Sequence, residues 1–308
     1  MDMKRLANIA GSVLVLLSIV FIGVVLSRLD FAPLLARLSW WWIPTLLGLS
    51  LLLCFCYLFL AFAWRRLLEL ASRKRLDMEV TARYLYTVVF KYAPGNVFHF
   101  LGRHALKESH RLSHKSIMFA NGAEIILQLF SVSLIIFAGA LIFGFSLDIT
   151  AGFTLSRTKI LLAFGLLMGL SAVMLLKKRN REILFSKEGL SGFLFVTGNH
   201  LLFLLGSTSI LFLVYLLFFD LPFTLHTFSQ TVFVGVIAWL LGFVVPGAPG
   251  GIGIRESVLL LMLPQAILLD RESVIAGALL YRIVTIGGEV MTLLLSGWIS
   301  EKRGVYVQ

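Results

Sequence analysis

The residues best suited to chemistry lie in one glycine-rich stretch that ends in a charged pair. Residues 246–256 read Pro-Gly-Ala-Pro-Gly-Gly-Ile-Gly-Ile-Arg-Glu. Glycines permit sharp turns and leave no side chain over the backbone amides. Free N–H groups at the start of the following helix would bind an anion such as a lipid phosphate. The alternative is a plain helix–turn–helix, but Arg255 and Glu256 favour a function, because charges inside apolar segments are rare and usually functional. The residues of this candidate site are Pro246, Pro249, Gly250, Gly251, Gly253, Arg255 and Glu256.

Three further ionisable residues lie in apolar segments, namely Glu124, Arg282 and Glu289. An uncompensated charge at mid-bilayer costs about 2.5–3.5 kcal/mol on insertion scales, so each of them should have a partner. One interpretation is an ion pair between Glu124 and Arg282. The other is that Arg255 and Arg282 hold an anionic headgroup while a glutamate accepts a proton or gates access.

A second Pro/Gly interruption occurs earlier, in the stretch Lys-Tyr-Ala-Pro-Gly-Asn that begins at Lys91. Pro94 and Gly95 should break a helix here, and Asn96 is suited to cap the next one. Lys91 either extends towards the cytoplasmic headgroups or contributes to the binding site. Arg103 is expected to face cytoplasmic lipid or the mouth of this segment.

No metal site, cofactor or catalytic motif is predicted. His110 and His114 are one helical turn apart and His104 is close in sequence, but an isolated pair of this kind lacks the HExxH context. Cys54 and Cys56 point to different faces of a helix, which excludes a mutual disulfide. No nucleophile elbow, P-loop or dinucleotide fingerprint is present. The sequence therefore predicts a protein that is not an enzyme.

The composition indicates which kind of scaffold positions these residues. Of 308 residues, 59% are hydrophobic and 14% are charged, and the mean hydropathy is +0.94. Soluble domains are near 45–50% apolar and 25% charged, so a polytopic membrane protein is predicted. Long unbroken apolar runs favour helices over a barrel, whose strands would alternate. The net charge of +11 is assigned to basic loops that face anionic lipid, and not to nucleic-acid binding.

About 20 apolar residues cross a bilayer, and six segments meet or nearly meet this length. They are Leu6–Leu26, Trp41–Trp64, Ile117–Phe145, Ile160–Leu176, Phe193–Phe219 and Ser273–Ile299. Two more apolar segments, Thr81–Leu101 and Phe228–Leu263, contain the interruptions, and broken backbone at membrane depth must be buried in protein or line a wet cavity. The fold class predicted is therefore all-α, with six spanning helices and two re-entrant hairpins. Most of the 27 basic residues then fall on one side, which places both termini in the cytoplasm.

The same layout indicates an inverted repeat within a single membrane domain. Residues 1–79 form two N-terminal spans, and residues 80–176 and 193–299 form two units, each containing one hairpin. Ala-Pro-Gly occurs at both interruptions, and each hairpin precedes a span that begins near a serine, Ser116 or Ser273. Gly/Pro-interrupted segments at corresponding positions of inverted units indicate a transporter's binding site.

The motifs together resemble the flippase-like transmembrane region of lysylphosphatidylglycerol synthetases. The resemblance covers nearly the whole chain, and Pro-Gly-Gly-x-Gly-x-Arg-Glu at 249–256 is its most specific element. It implies a bacterial inner-membrane protein that moves a lipid between leaflets. Two features differ: Ile125 follows Glu124 where relatives often have arginine, and the chain has no room for the soluble aminoacyl-transferase domain.

The leading hypothesis is a translocator of an anionic phospholipid or of a lipid-linked headgroup. Its partners would be anionic membrane lipids. One alternative is a non-transporting scaffold for a lipid- or glycan-modifying enzyme. Another is a transferase acting on lipid headgroups, for which the sequence offers neither a nucleophile nor a metal site.

Overall fold

A computed structural model of the protein describes residues 39–93, 98–143, 147–150, 153–175, 187–245 and 249–301. The described part is almost entirely helical. Its α-helices are α1 (Trp42–Ser72), α2 (Met78–Thr87), α3 (Phe98–Gly102), α4 (Leu106–Ser109), α5 (His114–Phe143), α6 (Arg157–Leu175), α7 (Lys187–Phe218), α8 (Leu225–Val244), α9 (Ile254–Ile267) and α10 (Arg271–Glu301). Three short 3₁₀ helices cover Val88–Tyr92, Arg103–Ala105 and Pro249–Gly251.

A short antiparallel pair of strands departs from the all-α prediction. Strands β1 (Leu147–Thr150) and β2 (Phe153–Leu155) connect α5 to α6, and the register is irregular between Asp148 and Thr150. In the sequence of this connection, apolar and polar residues alternate around an Ala-Gly pair, which is a pattern typical of a β-hairpin. The strands do not alter the helical character of the membrane region.

Five described helices are long and apolar enough to cross a membrane. Four of them, α1, α5, α7 and α10, correspond to predicted spans, so a multi-pass membrane protein is confirmed. The fifth is α8, which was predicted to be only the first limb of a re-entrant hairpin; its 20 residues are sufficient to cross alone. The predicted span 160–176 is the helix α6 but is not among the five, and Leu6–Leu26 lies outside the described residues.

The first interrupted segment, residues 78–109, is called the first hairpin. Asp77 begins it by capping α2, its carboxylate accepting a hydrogen bond from the Glu79 amide at 3.0 Å. The α-helix ends at Thr87 and continues as the 3₁₀ helix Val88–Tyr92, after which helix resumes at Phe98. The predicted interruption is therefore confirmed at this position. Pro94, Gly95 and Asn96 lie outside the described residues.

The second interrupted segment, residues 225–267, is called the second hairpin. Thr224 and Thr227 cap α8 reciprocally, and α8 packs against α9. The helix ends at Val244 and resumes at Ile254, as the Pro/Gly run predicts. Gly250, Gly251 and Gly253 all have positive φ. Pro246 lies outside the described residues.

The long helices form the core around which the hairpins lie. Helix α1 packs along α7 and α10, α5 packs on α6, and α10 also contacts α2. Large side chains such as Trp64, Tyr215 and Phe212 are fully buried between them. The opposite faces of α1 and α6 carry exposed leucines, including Leu51, Leu166 and Leu170. Such surfaces suit contact with lipid tails.

The helix that follows each hairpin begins with the same kind of cap. Ser113 Oγ accepts a hydrogen bond from the Ser116 amide at 3.1 Å, which starts α5. Asp270 Oδ1 accepts one from the Ser273 amide at 2.8 Å, which starts α10. The two serines noted in the sequence therefore occupy matching places.

Candidate functional site

A small cavity lies between the two hairpins and is bordered by the long helices α1, α5 and α7. Its volume is about 80 Å³, which is space for several water molecules. Its polar and charged lining residues are Tyr57, Tyr84, Lys91, His99, Arg103, Glu124, Gln128 and Arg255, and its aromatic wall is completed by Phe100, Phe203, Trp239 and Phe243. The cavity therefore joins a cationic surface to aromatic rings inside a protein with an apolar exterior.

The two interrupted segments meet beside this cavity. The Tyr92 ring, fully buried, lies directly over Gly250, which has a φ of +61°. A methyl group on Gly250 would lie 2.5 Å from Tyr92 Cε1, so any larger residue would push the two segments apart. The positive φ would add backbone strain to that collision. Glycine at 250 is thus required by the contact between the hairpins.

In the first hairpin, Arg103 forms a buried ion pair with Glu124 of α5. Its guanidinium Nη1 lies 2.5 Å from Glu124 Oε2, and both side chains are almost completely buried. Tyr84 donates to the other carboxylate oxygen at 2.6 Å, and Asn121 accepts from Arg103 at 3.2 Å and from Trp64 Nε1 at 2.9 Å. Buried ion pairs need such additional hydrogen bonds to offset desolvation. The network fixes the second limb to α5.

The Arg103 guanidinium also lies against three aromatic rings. Its carbon is 4.1 Å from the centroid of Tyr84, 5.0 Å from that of Trp64 and 5.2 Å from that of Phe100. Cation–π contacts of this kind contribute most where water is excluded. Of the two positions predicted for Arg103, cytoplasmic lipid or the mouth of the interrupted segment, the first is wrong, because rings and a carboxylate hold the side chain inside.

In the second hairpin, Glu256 forms the corresponding ion pair with Arg282 of α10. Arg282 Nε donates to Glu256 Oε1 at 2.8 Å, and a second guanidinium nitrogen donates to the same oxygen. Arg282 also donates to the carbonyl of Gly250 at 3.3 Å, and Glu256 accepts from the Gly253 amide at 2.8 Å. Both members therefore hold the glycine backbone as well as each other. The predicted pair of Glu124 with Arg282 is not formed, because Glu124 pairs with Arg103 and Arg282 pairs with Glu256.

A third ion pair joins the first hairpin to α10. Lys91 of the first hairpin contacts Glu289 of α10 at 2.6 Å. Tyr57 donates to Glu289 Oε1 at 2.7 Å, and the Lys91 ammonium lies 3.0 Å from the Tyr57 hydroxyl oxygen. Lys91 therefore does not extend to the headgroup region, since its charge is held inside. The sequence predicts that Glu289 has a partner, which is Lys91. It does not predict Tyr57, because a tyrosine in an apolar helix is not recognisable from sequence as part of a site.

Arg255 lines the cavity and forms no ion pair within the described residues, unlike the other charged residues of the wall. Its Nε is buried without a hydrogen-bond partner in that part of the chain. The side chain passes between Gly242 and Gly251, where an added methyl group would lie 2.6 Å from Arg255 Cγ or 2.8 Å from Nε. Its guanidinium carbon lies 6.0 Å from the Trp239 ring centroid. Two glycines and a tryptophan thus form a slot that aims this cation at the cavity.

A second and smaller cavity, of about 20 Å³, lies on the other side of Arg255 and has space for a single water molecule. Arg255 and Trp239 line both cavities, and Glu256, Tyr281 and Arg282 line only the smaller one. Among the predicted binding residues, Arg255, Lys91 and Gly250 therefore meet at the larger cavity. Glu256 and Arg282 are brought to the smaller one, and Pro249 and Gly251 lie in the 3₁₀ helix between them.

His110 lies beside Asp77 and Glu79 at the base of the first hairpin. His110 Nε2 is 3.1 Å from Asp77 Oδ1 and 3.6 Å from Glu79 Oε2, and this is the group within the described residues that could hold a metal ion. Distances of this size are also those of a partly exposed ion pair. The prediction that the chain binds no metal stays a prediction.

The fold and site define a multi-pass membrane protein with a buried cationic cavity. The profile of the family described as Lysylphosphatidylglycerol synthase TM region matches residues 8–293. The chain belongs to this family, which links it to lipid metabolism or transport and confirms the resemblance carried by its motifs. No individual curated protein matches the sequence.

Proposed function

We propose that the chain is a translocator that moves an anionic phospholipid, or a lipid-linked anionic headgroup, between the leaflets of the bacterial inner membrane. In this proposal the protein acts on anionic membrane lipids without a covalent step. Two N-terminal spans in residues 1–79 precede an inverted repeat of residues 80–176 and 193–299, in which each unit has two spans and one re-entrant hairpin, and both termini are cytoplasmic. The aminoacyl-transferase chemistry of longer relatives lies outside the proposal.

The observation that carries this proposal is Arg255. An unpaired cation inside an apolar protein is costly, and the cost falls when an anionic ligand enters. Arg255 is held in its slot by Gly242 and Gly251 and faces a cavity lined by further donors. A phosphate group is the anion that a lipid would bring there. Its acyl chains would remain in the bilayer beside the exposed leucines.

The corresponding ion pairs support the inverted repeat. In each unit, a charged residue of the hairpin's second limb pairs with the long helix that follows, as Arg103 does with Glu124 and Glu256 with Arg282. Movement of one unit against the other would leave these two pairs intact. It would break the pair of Lys91 with Glu289, which crosses between units. We therefore assign that third pair as the contact that opens when the lipid passes.

The test is leaflet exchange of a fluorescent anionic lipid in proteoliposomes. Arg255→Ala should reduce the rate to the protein-free background, and Arg255→Lys should retain part of it, because lysine keeps the charge but not the planar donor group. Arg271→Ala is the matched control, since it removes one arginine from the exposed start of α10. Equal rates for the wild type, Arg255→Ala and liposomes without protein would reject transport.

The scaffold alternative predicts a different result for Arg255→Ala when the protein is tested in cells. A stoichiometric lipid-modifying enzyme would then copurify in mild detergent, and cells carrying Arg255→Ala would keep full function. If Arg255→Ala abolishes function while the copurifying protein is still recovered, the result supports the translocator.

A further inference from the structure

We infer that the headgroup taken up by the cavity carries one net negative charge, as a phosphodiester does. This inference rests on the proposed function and specifies its substrate class. It disfavours lipid phosphomonoesters and pyrophosphates, which carry more negative charge. It also disfavours aminoacylated headgroups, whose amines add positive charge.

The charges around the cavity are balanced except for one. The charged residues that line it are Lys91, Arg103, Glu124 and Arg255. Glu124 neutralises Arg103, and Glu289 neutralises Lys91 from behind the wall. Arg255 has no carboxylate partner among the described residues. Counted over the described residues, the wall thus has a surplus of one positive charge, which a single negative charge compensates.

The hairpin residues outside the described part do not change this count. Residues 94–97 read Pro-Gly-Asn-Val and residues 246–248 read Pro-Gly-Ala, so all seven side chains are uncharged. The nearest charged residues on the second hairpin are Arg255 and Glu256 themselves. Glu256 is already engaged by Arg282 and by the Gly253 amide.

In the part of the chain that the structure describes, three buried nitrogen atoms without a hydrogen-bond partner belong to residues that line the cavity. They are Arg255 Nε, Arg103 Nε and His99 Nδ1. Buried polar groups of this kind are normally satisfied by a ligand or by ordered water. Phosphodiester oxygens accept hydrogen bonds and would satisfy the arginine donors.

A second negative charge would have to disrupt an existing pair. The nearest cation to recruit is Lys91, but its ammonium is bound to Glu289 and Tyr57. An added amine would in turn need a carboxylate, and Glu124 already accepts from Tyr84 and Arg103. While the ion pairs are closed, as in this structure, neither group is available without leaving a buried charge alone, which is strongly unfavourable.

The inference is tested by lipid binding to the full chain in neutral detergent, measured by native mass spectrometry near pH 8. The probes are phosphatidylglycerol, phosphatidic acid, phosphatidylcholine and lysyl-phosphatidylglycerol. At this pH phosphatidic acid is mostly a dianion, because the second pKa of a phosphomonoester is about 6. Phosphatidylglycerol should bind at least about tenfold more tightly than each of the other three, as expected for one charged hydrogen-bonded contact.

Three variants make the test specific to the charge count. Arg255→Ala should weaken phosphatidylglycerol binding about tenfold or more, and Arg271→Ala should leave it unchanged. Glu289→Gln releases Lys91 and should raise the affinity for phosphatidic acid relative to phosphatidylglycerol. Tightest binding of lysyl-phosphatidylglycerol or of phosphatidic acid to the wild type would overturn the inference, whatever Glu289→Gln does.

Binding and transport can fail separately. The predicted order of binding without leaflet exchange would support the substrate class and reject the translocator. Leaflet exchange that depends on Arg255 but is equally fast for all four lipids would support the translocator and reject the substrate class.

Discussion

Each of the two hairpins is anchored by a buried ion pair, but the two pairs have different structural roles. In the first hairpin the arginine lies on the short limb and the glutamate on the long helix, and in the second hairpin the order is reversed. Arg103 and Glu124 take their additional hydrogen bonds from side chains, with Tyr84 donating to Glu124 and Asn121 accepting from Arg103. Arg282 instead donates to the backbone carbonyl of Gly250. The first pair therefore fixes how helices pack, whereas the second also shapes the loop that presents Arg255.

The largest effect should come from Arg282→Ala. It leaves Glu256 without its cation and releases the Gly250 carbonyl, so stability should fall by about 3–5 kcal/mol. Thermal unfolding in detergent measures the loss, and leaflet exchange should be abolished in parallel. Exchanging the two residues, with Glu256→Arg and Arg282→Glu together, should not rescue either property, because a glutamate cannot donate to the carbonyl. Rescue by the exchange would show that the pair contributes through its charges alone and not through the bond to the Gly250 carbonyl.

Glu124→Gln should have a smaller effect on the first pair. Glutamine still accepts from Tyr84, and three rings continue to surround the Arg103 guanidinium. We expect a loss of about 1–3 kcal/mol in the same unfolding measurement. Leaflet exchange should persist when assayed below the melting temperature. A loss as large as that of Arg282→Ala would remove the distinction between the two pairs.

Alanine in place of the glycine beside Arg255 tests the slot without removing a charge. Gly242→Ala places a methyl group 2.6 Å from Arg255 Cγ and should cost about 1–3 kcal/mol while sharply lowering leaflet exchange. Gly102→Ala in the first hairpin meets Phe90 at 2.8 Å and should cost a similar amount with less effect on exchange. Gly198→Ala, whose methyl group meets nothing within 4 Å, is the helical control.

The smallest effect concerns the caps of the two following helices. Hydrogen bonds from Ser273 hold the pKa of Asp270 below its ordinary value, so this cap stabilises the fold above the pKa of an unfolded aspartate, about 3.9. Asp270→Ala should cost about 1 kcal/mol at neutral pH, and the difference from wild type should vanish as pH falls through the folded pKa. Ser113→Ala should cost a similar amount at every pH. Thermal melts between pH 3 and 7 check both, with Asp270→Asn as a cap that does not titrate.

The interruptions and the cationic site could be predicted from sequence because they depend on residue type. Proline and glycine break helices wherever they occur, and an arginine in an apolar run has few explanations other than a function. For this reason the sequence alone indicates Arg255 as a functional residue. The first limb of the second hairpin was less predictable, since 20 apolar residues fit both a span and a limb.

The choice of ionic partners could not be predicted because it depends on packing. Glu124 and Arg282 have similar positions in the two units, which suggested that they pair across the repeat. Instead the pairs within units join residues 21 and 26 positions apart, and the pair between units joins residues 198 positions apart. No sequence spacing distinguishes these possibilities. Only the meeting of helices in space selects the nearest compensating charge.

The two native thiols lie in α1, and both are buried. Cys56 Sγ fills the space over Gly206, where a methyl group would approach it to 2.8 Å. Labelling reagents that stay in water would therefore react slowly with Cys54 and Cys56 compared with a cysteine on the surface. Lys107→Cys and Leu268→Cys, at exposed ends of the two hairpins, offer such positions for a pair of spin probes. Distances between these probes would follow the hairpins through a transport cycle without replacement of the native cysteines.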